Sequence, residues 1–251
     1  MSSSPSFRDT PLAKVSEYWN SRPCNIRHSP QPVGSREYFE EVEARKYLVE
    51  PHIPGFAEFE KWKGKKVLEI GCGAGRHVYF FRLMGLQVVG TDVAHSAIDF
   101  TRRRLKKDGL IEGVELLAAD ATQIPYPDDS FDGILAWRFL HVLSPAQAQK
   151  CIREIYRLLR PGGKILLGTR SPRSTNYELI RSGQKVDADF DYRSGQLSER
   201  AVQDTYFSRQ ELEALFAAFQ DVEIEHIEWT RNNETFRAAY WAVTATKPAR
   251  V

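Results

Sequence analysis

Between residues 65 and 169, short apolar runs alternate with segments of helical periodicity. The runs "KVLEI", "QVVGTD", "VELLAA", "FDGILAW" and "KILLG" are almost continuously apolar, as expected of strands that helices cover on both faces. The intervening segments, residues 76–85, 94–109 and 144–160, have apolar positions at i, i+3 and i+4, and each ends at or near Gly or Pro. Repeated strand–helix–strand units predict a parallel, doubly wound α/β sheet.

The end of the chain has a different pattern. The segment "SRQELEALFAAF" begins at Ser208 and has Glu211 three residues later, a capping box that predicts the start of a helix. Two strand-like runs follow, "VEIEHIEWT" and "FRAAYWAVTAT", and the polar turn "RNNET" joins them. Because strands joined by a short turn pair antiparallel, the sequence predicts a hairpin at the edge of the sheet.

Two segments lie outside this alternating core. Residues 1–60 are expected to form an N-terminal helical cap, with "SREYFEEVEARKYLVE" as its clearest helix and "PHIP" as the end of that helix. The main domain is expected over residues 61–251. Within it, residues 171–206 are polar and weakly periodic, which predicts an insertion near the ligand-binding edge of the sheet. The cap is either a mobile lid or two helices fixed on the core.

Composition and cysteine usage narrow the class of protein. The chain has 251 residues, 42% of them hydrophobic, and no run approaches the roughly 18 apolar residues of a spanning helix. Its start, "MSSSPSFRDTPLAK", lacks the apolar stretch of a signal peptide, so a cytoplasmic location is expected. Cys24, Cys72 and Cys151 are far apart, and the histidines are scattered, so neither a disulfide framework nor a metal site is expected.

The charge balance gives no reason to expect a polyanionic partner. Lys and Arg total 35 against 33 Asp and Glu, a net charge of +2. The basic run "TRRRLKKDG" is assigned to the solvated face of a helix, because the apolar residues around it have helical spacing. Neither nucleic acid nor a membrane is therefore expected as a partner.

The stretch "KKVLEIGCGAGRHVYFF" places glycines between a predicted strand and a predicted helix. Gly71, Gly73 and Gly75 allow a tight turn and a close approach of the backbone to a ligand. The fingerprint of NAD-binding proteins would require glycine at position 76, where this chain has Arg76. Glu69 lies within the strand, where a carboxylate could accept a hydrogen bond from a ligand amine.

Two further carboxylates end the next two predicted strands. Asp92 ends the second strand, where an acidic residue can accept hydrogen bonds from both hydroxyls of a ribose. Asp120 ends the third strand in "LLAADA", level with the expected pocket for adenine. The alternative for these carboxylates is an ordinary solvated position in a turn.

This ordered set resembles the class I S-adenosylmethionine-dependent methyltransferases. "VLEIGCGAG" is similar to their first motif, "GTDVA" to their second strand end, "AADATQIP" to their adenine-binding turn and "LRPGGKILL" to the strand before the late helix. The resemblance covers about residues 60–247 and implies a Rossmann-like, seven-stranded, mostly parallel sheet of order 3-2-1-4-5-7-6 with strand 7 antiparallel. "EYWNSRPCNIRHS" and "GSREYFEEVEARKY" are similar to the opening of a bacterial subgroup that methylates small molecules.

The resemblance implies S-adenosyl-L-methionine as the cofactor. The residues expected to bind it are Glu69, Gly71, Cys72, Gly73, Gly75, Asp92, Val93, Asp120, Ala121 and Trp137. Three aromatic residues of the N-terminal segment, either core residues or covers of the cofactor, are Tyr18, Trp19 and Tyr38. Cys72 is interpreted as a small residue that fills the turn, with its amide facing the cofactor.

The segment "AWRFLHVLSP" after the fourth strand carries the candidates for catalysis. Arg138 is either an anchor for the acceptor or a member of a structural ion pair, and His141 is either a general base or structural. Amino-methylating DNA enzymes of this family have Asn or Asp followed by Pro-Pro-Tyr here, whereas this chain has "AWRF". The acidic metal ligands of catechol methyltransferases are also not evident.

The sequence therefore predicts methyl transfer to an O, N, S or C nucleophile of a small molecule. Three alternatives stay open: a nicotinamide oxidoreductase, a regulatory module that binds S-adenosylmethionine without turnover, and a methyltransferase acting on protein or RNA. The oligomeric state is also open, with a homodimer among the alternatives.

Overall fold

Seven strands form one mixed sheet in a computed structural model of the protein. The residues that the structure describes are 16–17, 19–20, 29–32, 35, 37–38, 41, 62–182, 205–231 and 233–249. The strands are β1 (Lys66–Ile70), β2 (Gln87–Asp92), β3 (Val114–Ala118), β4 (Phe131–Trp137), β5 (Leu159–Arg170), β6 (Gln220–Arg231) and β7 (Phe236–Thr246). The helices of the main domain are α1 (Arg76–Leu83), α2 (His95–Lys107), α3 (Pro145–Leu158), α4 (Thr175–Arg181) and α5 (Arg209–Leu215), with a 3-10 turn at Leu140–Val142.

The strand order is β3-β2-β1-β4-β5-β7-β6, which confirms the predicted topology. Strands β1 to β5 pair in parallel, and β7 pairs antiparallel with both β5 and β6. The predicted terminal hairpin is therefore present, and the capping box at Ser208 and Glu211 starts α5 as expected. Because the first five strands are parallel, their C-terminal ends all meet at one edge of the sheet.

An apolar layer covers each face of the sheet. On one face, α3 contributes Ala148, Cys151, Ile152, Ile155 and Leu158 to the larger cluster. On the other face, α1 and α2 contribute Val78, Phe81, Ile98 and Leu105 to a second cluster, which also contains Trp62. Strands buried on both faces explain the nearly continuous apolar runs in the sequence, and each such side chain stabilises the fold by about 1.5–3 kcal/mol.

The chain departs from the sequence-based prediction around β5 and after it. Helix α3 ends at Leu158, close to Pro161 as predicted, but β5 begins at once, five residues before the predicted strand "KILLG". Phe131 pairs with Leu159 and Gly133 with Lys164, so the "PGG" segment forms a bulge within the strand. Helix α4 lies in the predicted insertion. Most of the predicted N-terminal cap and residues 183–204 of the insertion lie outside the described residues.

Candidate functional site

The turn between β1 and α1 requires glycine. Gly71, Gly73 and Gly75 have φ angles of 69°, 52° and 70°, in the left-handed region that favours glycine. A Cβ atom at Gly71 would lie 2.7 Å from the ring of Phe139, and one at Gly75 would lie 2.2 Å from Cγ2 of Thr101. Backbone conformation and lack of space therefore both explain the glycines that the sequence marks as a ligand-binding turn.

Glu69 joins β1 to the first turn of α1. Its carboxylate is buried, with one oxygen 2.7 Å from Nδ1 of His77 and the other accepting from the backbone N–H of Val78 at 3.0 Å. A carboxylate is favourable there because the first N–H groups of a helix have no partner within it. This geometry gives Glu69 a role in fixing the glycine turn, and its contact with a ligand amine stays a prediction.

Asp92 connects the end of β2 to the glycine turn. Its carboxylate oxygens accept from the backbone N–H of Gly73 and of Ala94, each at 2.9 Å. Burial raises the pKa of Asp92, and the two backbone N–H groups act in the opposite direction. Because each carboxylate oxygen can accept more than one hydrogen bond, these contacts leave acceptor capacity for a ligand.

The end of β3 lies beside the end of β2, because Ala119 donates its N–H to the carbonyl of Asp92 at 2.9 Å. Asp120 follows directly, and its Oδ1 accepts from the N–H of Thr122 at 2.8 Å, which shapes the turn. Ala121 is buried in that turn. The predicted carboxylates therefore belong to three neighbouring strand ends.

Cys72 is buried within the glycine turn. Its N–H donates to the carbonyl of Thr91 at 2.9 Å, and its sulfur would lie 3.4 Å from a Cβ atom built at Gly90. It therefore fills space between the turn and β2, in agreement with its interpretation as a small structural residue. This hydrogen bond directs the N–H of Cys72 to β2, and a contact of Cys72 with the cofactor stays a prediction.

Residues 16–17 and 19–20 are helical, and Ser16 and Asn20 contact the segment that follows β2. Ser16 donates its hydroxyl to the carbonyl of Val93 at 3.1 Å, and Oδ1 of Asn20 accepts from the N–H of Ser96 at 3.0 Å. Asn20 also donates to the hydroxyl of Ser16 at 3.2 Å. The sequence prediction missed Ser16 and Asn20, although their i, i+4 spacing places them on one side of a helix. Trp19 belongs to the same turn and is half-buried.

Tyr38 packs against the outside of the glycine turn. It is 1% exposed, its ring meets that of Phe100 edge-on at a centroid distance of 6.2 Å, and Ala74 packs against both rings. These contacts give Tyr38 a packing role, and a contact with the cofactor stays a prediction. Tyr18 lies outside the described residues.

Trp137 and Arg138 lie where β4 ends. Trp137 is buried, and its ring packs so closely on Gly168 that a Cβ atom there would lie 2.4 Å from it. Arg138 has a φ of 55° and donates its N–H to the carbonyl of Gly168 at 2.8 Å. Its guanidinium carbon lies 4.8 Å from the centre of the Tyr240 ring. Arg138 is therefore held in a defined direction at the strand end.

His141 is 5% exposed in the 3-10 turn that follows. Its carbonyl accepts from the N–H of Thr205 at 2.7 Å, and the hydroxyl of Thr205 donates to the carbonyl of Leu143 at 2.6 Å. The backbone of His141 therefore anchors the chain that leads into α5. Its use as a base stays a prediction.

Arg170 is a residue of this edge that the sequence analysis missed. It ends β5, is 4% exposed, and donates from Nη1 to the phenol oxygen of Tyr206 at 3.2 Å. The ring of Tyr206 lies 5.1 Å from that of Tyr177 in α4. The feature of the sequence that could have identified Arg170 is a charged residue at the end of the mostly apolar run "KILLGTR".

The described ranges contain neither a metal-binding cluster nor a membrane-spanning helix. No group of three or more His, Cys, Asp or Glu side chains in these ranges could hold a metal ion. No helix in the same ranges is both long enough and apolar enough to cross a membrane.

Residues 67–163 match the family described as "Methyltransferase domain". That range contains the glycine turn, Asp92, Asp120 and the end of β4. Residues 67–163 of this chain are therefore similar to a methyltransferase domain, and a solved S-adenosylmethionine-dependent methyltransferase from Methanosarcina mazei shares the fold of the chain. This similarity agrees with the strand order of the sheet and with the resemblance of the motifs.

This chain is similar in sequence to two curated methyltransferases. It is 35% identical over 113 residues to methyltransferase GfsG of Streptomyces halstedii, covering 45% of this chain and 40% of that protein. It is 28% identical over 211 residues to the ubiquinone/menaquinone biosynthesis C-methyltransferase UbiE of Enterobacter sp., covering 74% and 81%. The chain spans less than half the length of the first curated relatives that it matches.

Among solved structures, this chain is similar to geranyl diphosphate C-methyltransferase from Streptomyces coelicolor. The TM-score is 0.61 at 16% identity, with 95% of this chain and 99% of that chain covered. That protein was solved in complex with Mg²⁺, geranyl diphosphate and S-adenosyl-L-homocysteine. At this level of identity, the similarity establishes the fold.

Proposed function

We propose that this methyltransferase transfers a methyl group from S-adenosyl-L-methionine to a small molecule. The observation that carries the proposal is Asp92, a half-buried strand-end carboxylate that accepts a hydrogen bond from the N–H of Gly73 in the glycine turn. This arrangement places an acceptor for ribose hydroxyls next to a glycine turn whose backbone a ligand can approach closely. The similarity of residues 67–163 to a methyltransferase domain supports the same cofactor.

The residues present fit this cofactor in shape and in chemistry. S-adenosylmethionine carries no phosphate, so its site needs acceptors for an amine and a ribose rather than a cradle of three phosphate-binding glycines. Asp92 would accept from the ribose, and the turn at Asp120 and Ala121 would border the adenine. Glu69 would accept from the amine, and its bonds to His77 and Val78 would hold the glycine turn in place.

When bound, S-adenosylmethionine supplies a methyl group that is already activated by the sulfonium charge. The chain therefore has to position the acceptor and exclude water, and needs little further chemistry. Trp137 and Arg138 at the end of β4 would face the acceptor, with Arg138 orienting it. If the acceptor is an amine or an alcohol, a base is required, and His141 is the candidate nearest in the chain to this edge.

The N-terminal segment is proposed to cover the site. Ser16 and Asn20 bond to the backbone at Val93 and Ser96, immediately after Asp92. The turn that contains Trp19 would thus lie over the ribose side of the cofactor. Because an activated methyl group must be shielded from water, such a cover has a chemical purpose.

A small-molecule acceptor is favoured over a protein or RNA. The relatives include a ubiquinone/menaquinone biosynthesis C-methyltransferase and a demethylmenaquinone methyltransferase. The net charge of +2 gives little attraction for a polyanion. Buried free thiols at Cys72 and Cys151 are compatible with the proposed cytoplasmic location.

The test is to incubate the protein with a metabolite extract and S-adenosylmethionine labelled in the methyl group. The label should appear in compounds of low molecular weight and not in added protein or RNA. Label in macromolecules alone would contradict the small-molecule acceptor. Tight binding without any transfer would favour the regulatory module instead.

A further inference from the structure

A buried histidine follows the glycine turn and contacts the carboxylate of Glu69. His77 belongs to the first turn of α1 and is 4% exposed, and Glu69 in β1 is 3% exposed. Nδ1 of His77 lies 2.7 Å from Oε1 of Glu69. Because an ionised carboxylate can only accept hydrogen bonds, Nδ1 of His77 is the donor in this contact. The histidine therefore stabilises the buried negative charge of Glu69.

The contacts around Glu69 hold its carboxylate in one orientation. Its Oε1 faces His77, and its Oε2 accepts from the backbone N–H of Val78 at 3.0 Å. On the other side of the imidazole, Nη2 of Arg76 lies 3.5 Å from Nε2 of His77, so both ring nitrogens have a polar neighbour. Each carboxylate oxygen has two lone pairs, and the two contacts to Glu69 use one lone pair on each oxygen. A ligand N–H can therefore bind the same carboxylate without displacing either contact.

Two negative charges lie near each other toward the ends of β1 and β2. Burial raises the pKa of Asp92, and the negative charge of Glu69 raises it further, because the two carboxylates repel each other. The two strands pair in parallel, with Glu69 beside Gly90, two residues before Asp92. A positively charged group of a ligand relieves this repulsion, whereas a neutral ribose does not. In S-adenosylhomocysteine the only such group is the amine of its amino-acid end.

We propose that His77 is a positioning residue of the cofactor site, which orients the Glu69 carboxylate toward the amine of S-adenosylmethionine. This inference rests on the proposed function, because it concerns how the same site binds its cofactor. His77 acts through Glu69 and does not touch the cofactor. Without His77 the carboxylate loses the donor on Oε1 and can rotate, so binding of the amine weakens. The contacts proposed for the ribose at Asp92 and for the adenine at Asp120 stay.

The test compares two ligands by calorimetry with the full chain. S-adenosylhomocysteine carries the amino acid, whereas methylthioadenosine has the same adenosine and a thioether but no amino acid. His77→Leu removes the donor, and His77→Asn keeps an N–H donor at the position of Nδ1. His77→Leu should weaken binding of S-adenosylhomocysteine by about tenfold or more and change binding of methylthioadenosine by no more than about twofold. His77→Asn should bind both ligands within about twofold of the unmodified protein.

Nuclear magnetic resonance of the unmodified protein with isotope-labelled histidine gives a second readout that needs no variant. An ammonium group bound to Glu69 makes the carboxylate a weaker acceptor for the Nδ1 proton of His77. S-adenosylhomocysteine should therefore shift the resonance of that proton upfield, whereas methylthioadenosine should leave it in place.

Each outcome separates this inference from the proposed function. Equal weakening of both ligands by His77→Leu, or unchanged binding of S-adenosylhomocysteine, would overturn the role of His77 and leave the proposed cofactor intact. A His77 resonance that responds alike to both ligands would do the same, and it decides the question if His77→Leu does not fold. Failure of the unmodified protein to bind either ligand would instead overturn the proposed cofactor.

Discussion

Asp92 is the residue through which the glycine turn and the proposed ribose site are coupled. Asp92→Ala removes the proposed charge-assisted contacts to the cofactor, which should cost roughly 1.5–3 kcal/mol, or about ten- to a hundredfold in affinity. Calorimetry with S-adenosylhomocysteine measures this loss. Asp99→Ala changes an exposed carboxylate on α2 and serves as the control. Unchanged affinity in a folded Asp92→Ala protein would remove Asp92 from the site.

The pKa of Asp92 predicts opposite effects of acid on binding and on stability. Burial raises this pKa, so the carboxyl group takes up a proton at a higher pH than an ordinary aspartate. Affinity for S-adenosylhomocysteine should fall as pH decreases toward that pKa, because a protonated carboxyl is a poorer acceptor. The contribution of Asp92 to the free energy of unfolding is present in acid and is lost as pH rises through the raised pKa.

Calorimetry and urea unfolding between about pH 4 and pH 7 would follow both effects of Asp92. Asp92→Asn cannot titrate, so the part of each pH dependence that comes from Asp92 should be missing in that variant. Parallel pH curves for the two proteins would show that another group controls the binding.

We expect Arg138 to contribute to turnover of the acceptor and not to affinity for the cofactor. Arg138→Ala should depress turnover of an acceptor found by methyl labelling, with affinity for S-adenosylmethionine changed by no more than about twofold, or about 0.4 kcal/mol. The reason is its position over Tyr240, toward β7 and away from β2. Equal losses of turnover and of cofactor affinity would mean that Arg138 supports the fold or the cofactor site.

At the residue scale, the sequence indicated which residues lie at the strand ends, but it did not indicate which residues they contact. Glu69, Asp92 and Asp120 were found because each interrupts or ends an apolar strand. The bonds of Glu69 to His77 and Val78 depend on the first turn of α1 facing back toward β1, which spacing along the chain does not reveal. The sequence did not indicate a role for Arg170 because its hydrogen-bond partner, Tyr206, is distant from it in the sequence.

The β1–α1 turn is the element whose glycines can be tested most cleanly. Gly75→Ala combines a left-handed φ of 70° with a collision against Thr101, so unfolding in urea should show a loss of about 2–4 kcal/mol. Gly85→Ala has a similar φ of 77° and open space around it, so it should cost only about 1–2 kcal/mol. Equal costs would mean that Thr101 moves aside without loss.

At the scale of elements, hydrophobic periodicity predicted most of the sheet. Strands β1, β2 and β4 have the bounds of their apolar runs, because burial on both faces leaves no room for polar positions. The start of β5 was missed because "RPGG" is typical of a turn, while pairing with β4 holds it in the sheet. Helix α4 was missed because contacts with β7 support it, including the bond from Arg237 N–H to Thr175.

At the scale of the whole molecule, the N-terminal segment is proposed to close over the cofactor. Hydrogen exchange should slow between residues 10 and 50 when S-adenosylhomocysteine binds, because the cover is then ordered by the ligand. Asn20→Ala removes the acceptor for Ser96 N–H and should speed exchange at that amide, whereas Glu17→Ala, at an exposed neighbour, should not. Protection that is the same with and without ligand would indicate a fixed cap.

The central claim is that the ends of β1, β2 and β3 bind S-adenosylmethionine rather than a nicotinamide cofactor. Calorimetry of the unmodified protein with S-adenosylmethionine, S-adenosylhomocysteine and NADH tests it most directly. The account predicts dissociation constants in the micromolar range or below for the first two, about −8 kcal/mol or more favourable, and no measurable binding of NADH. Tight binding of NADH, or no binding of either adenosyl compound, would contradict it.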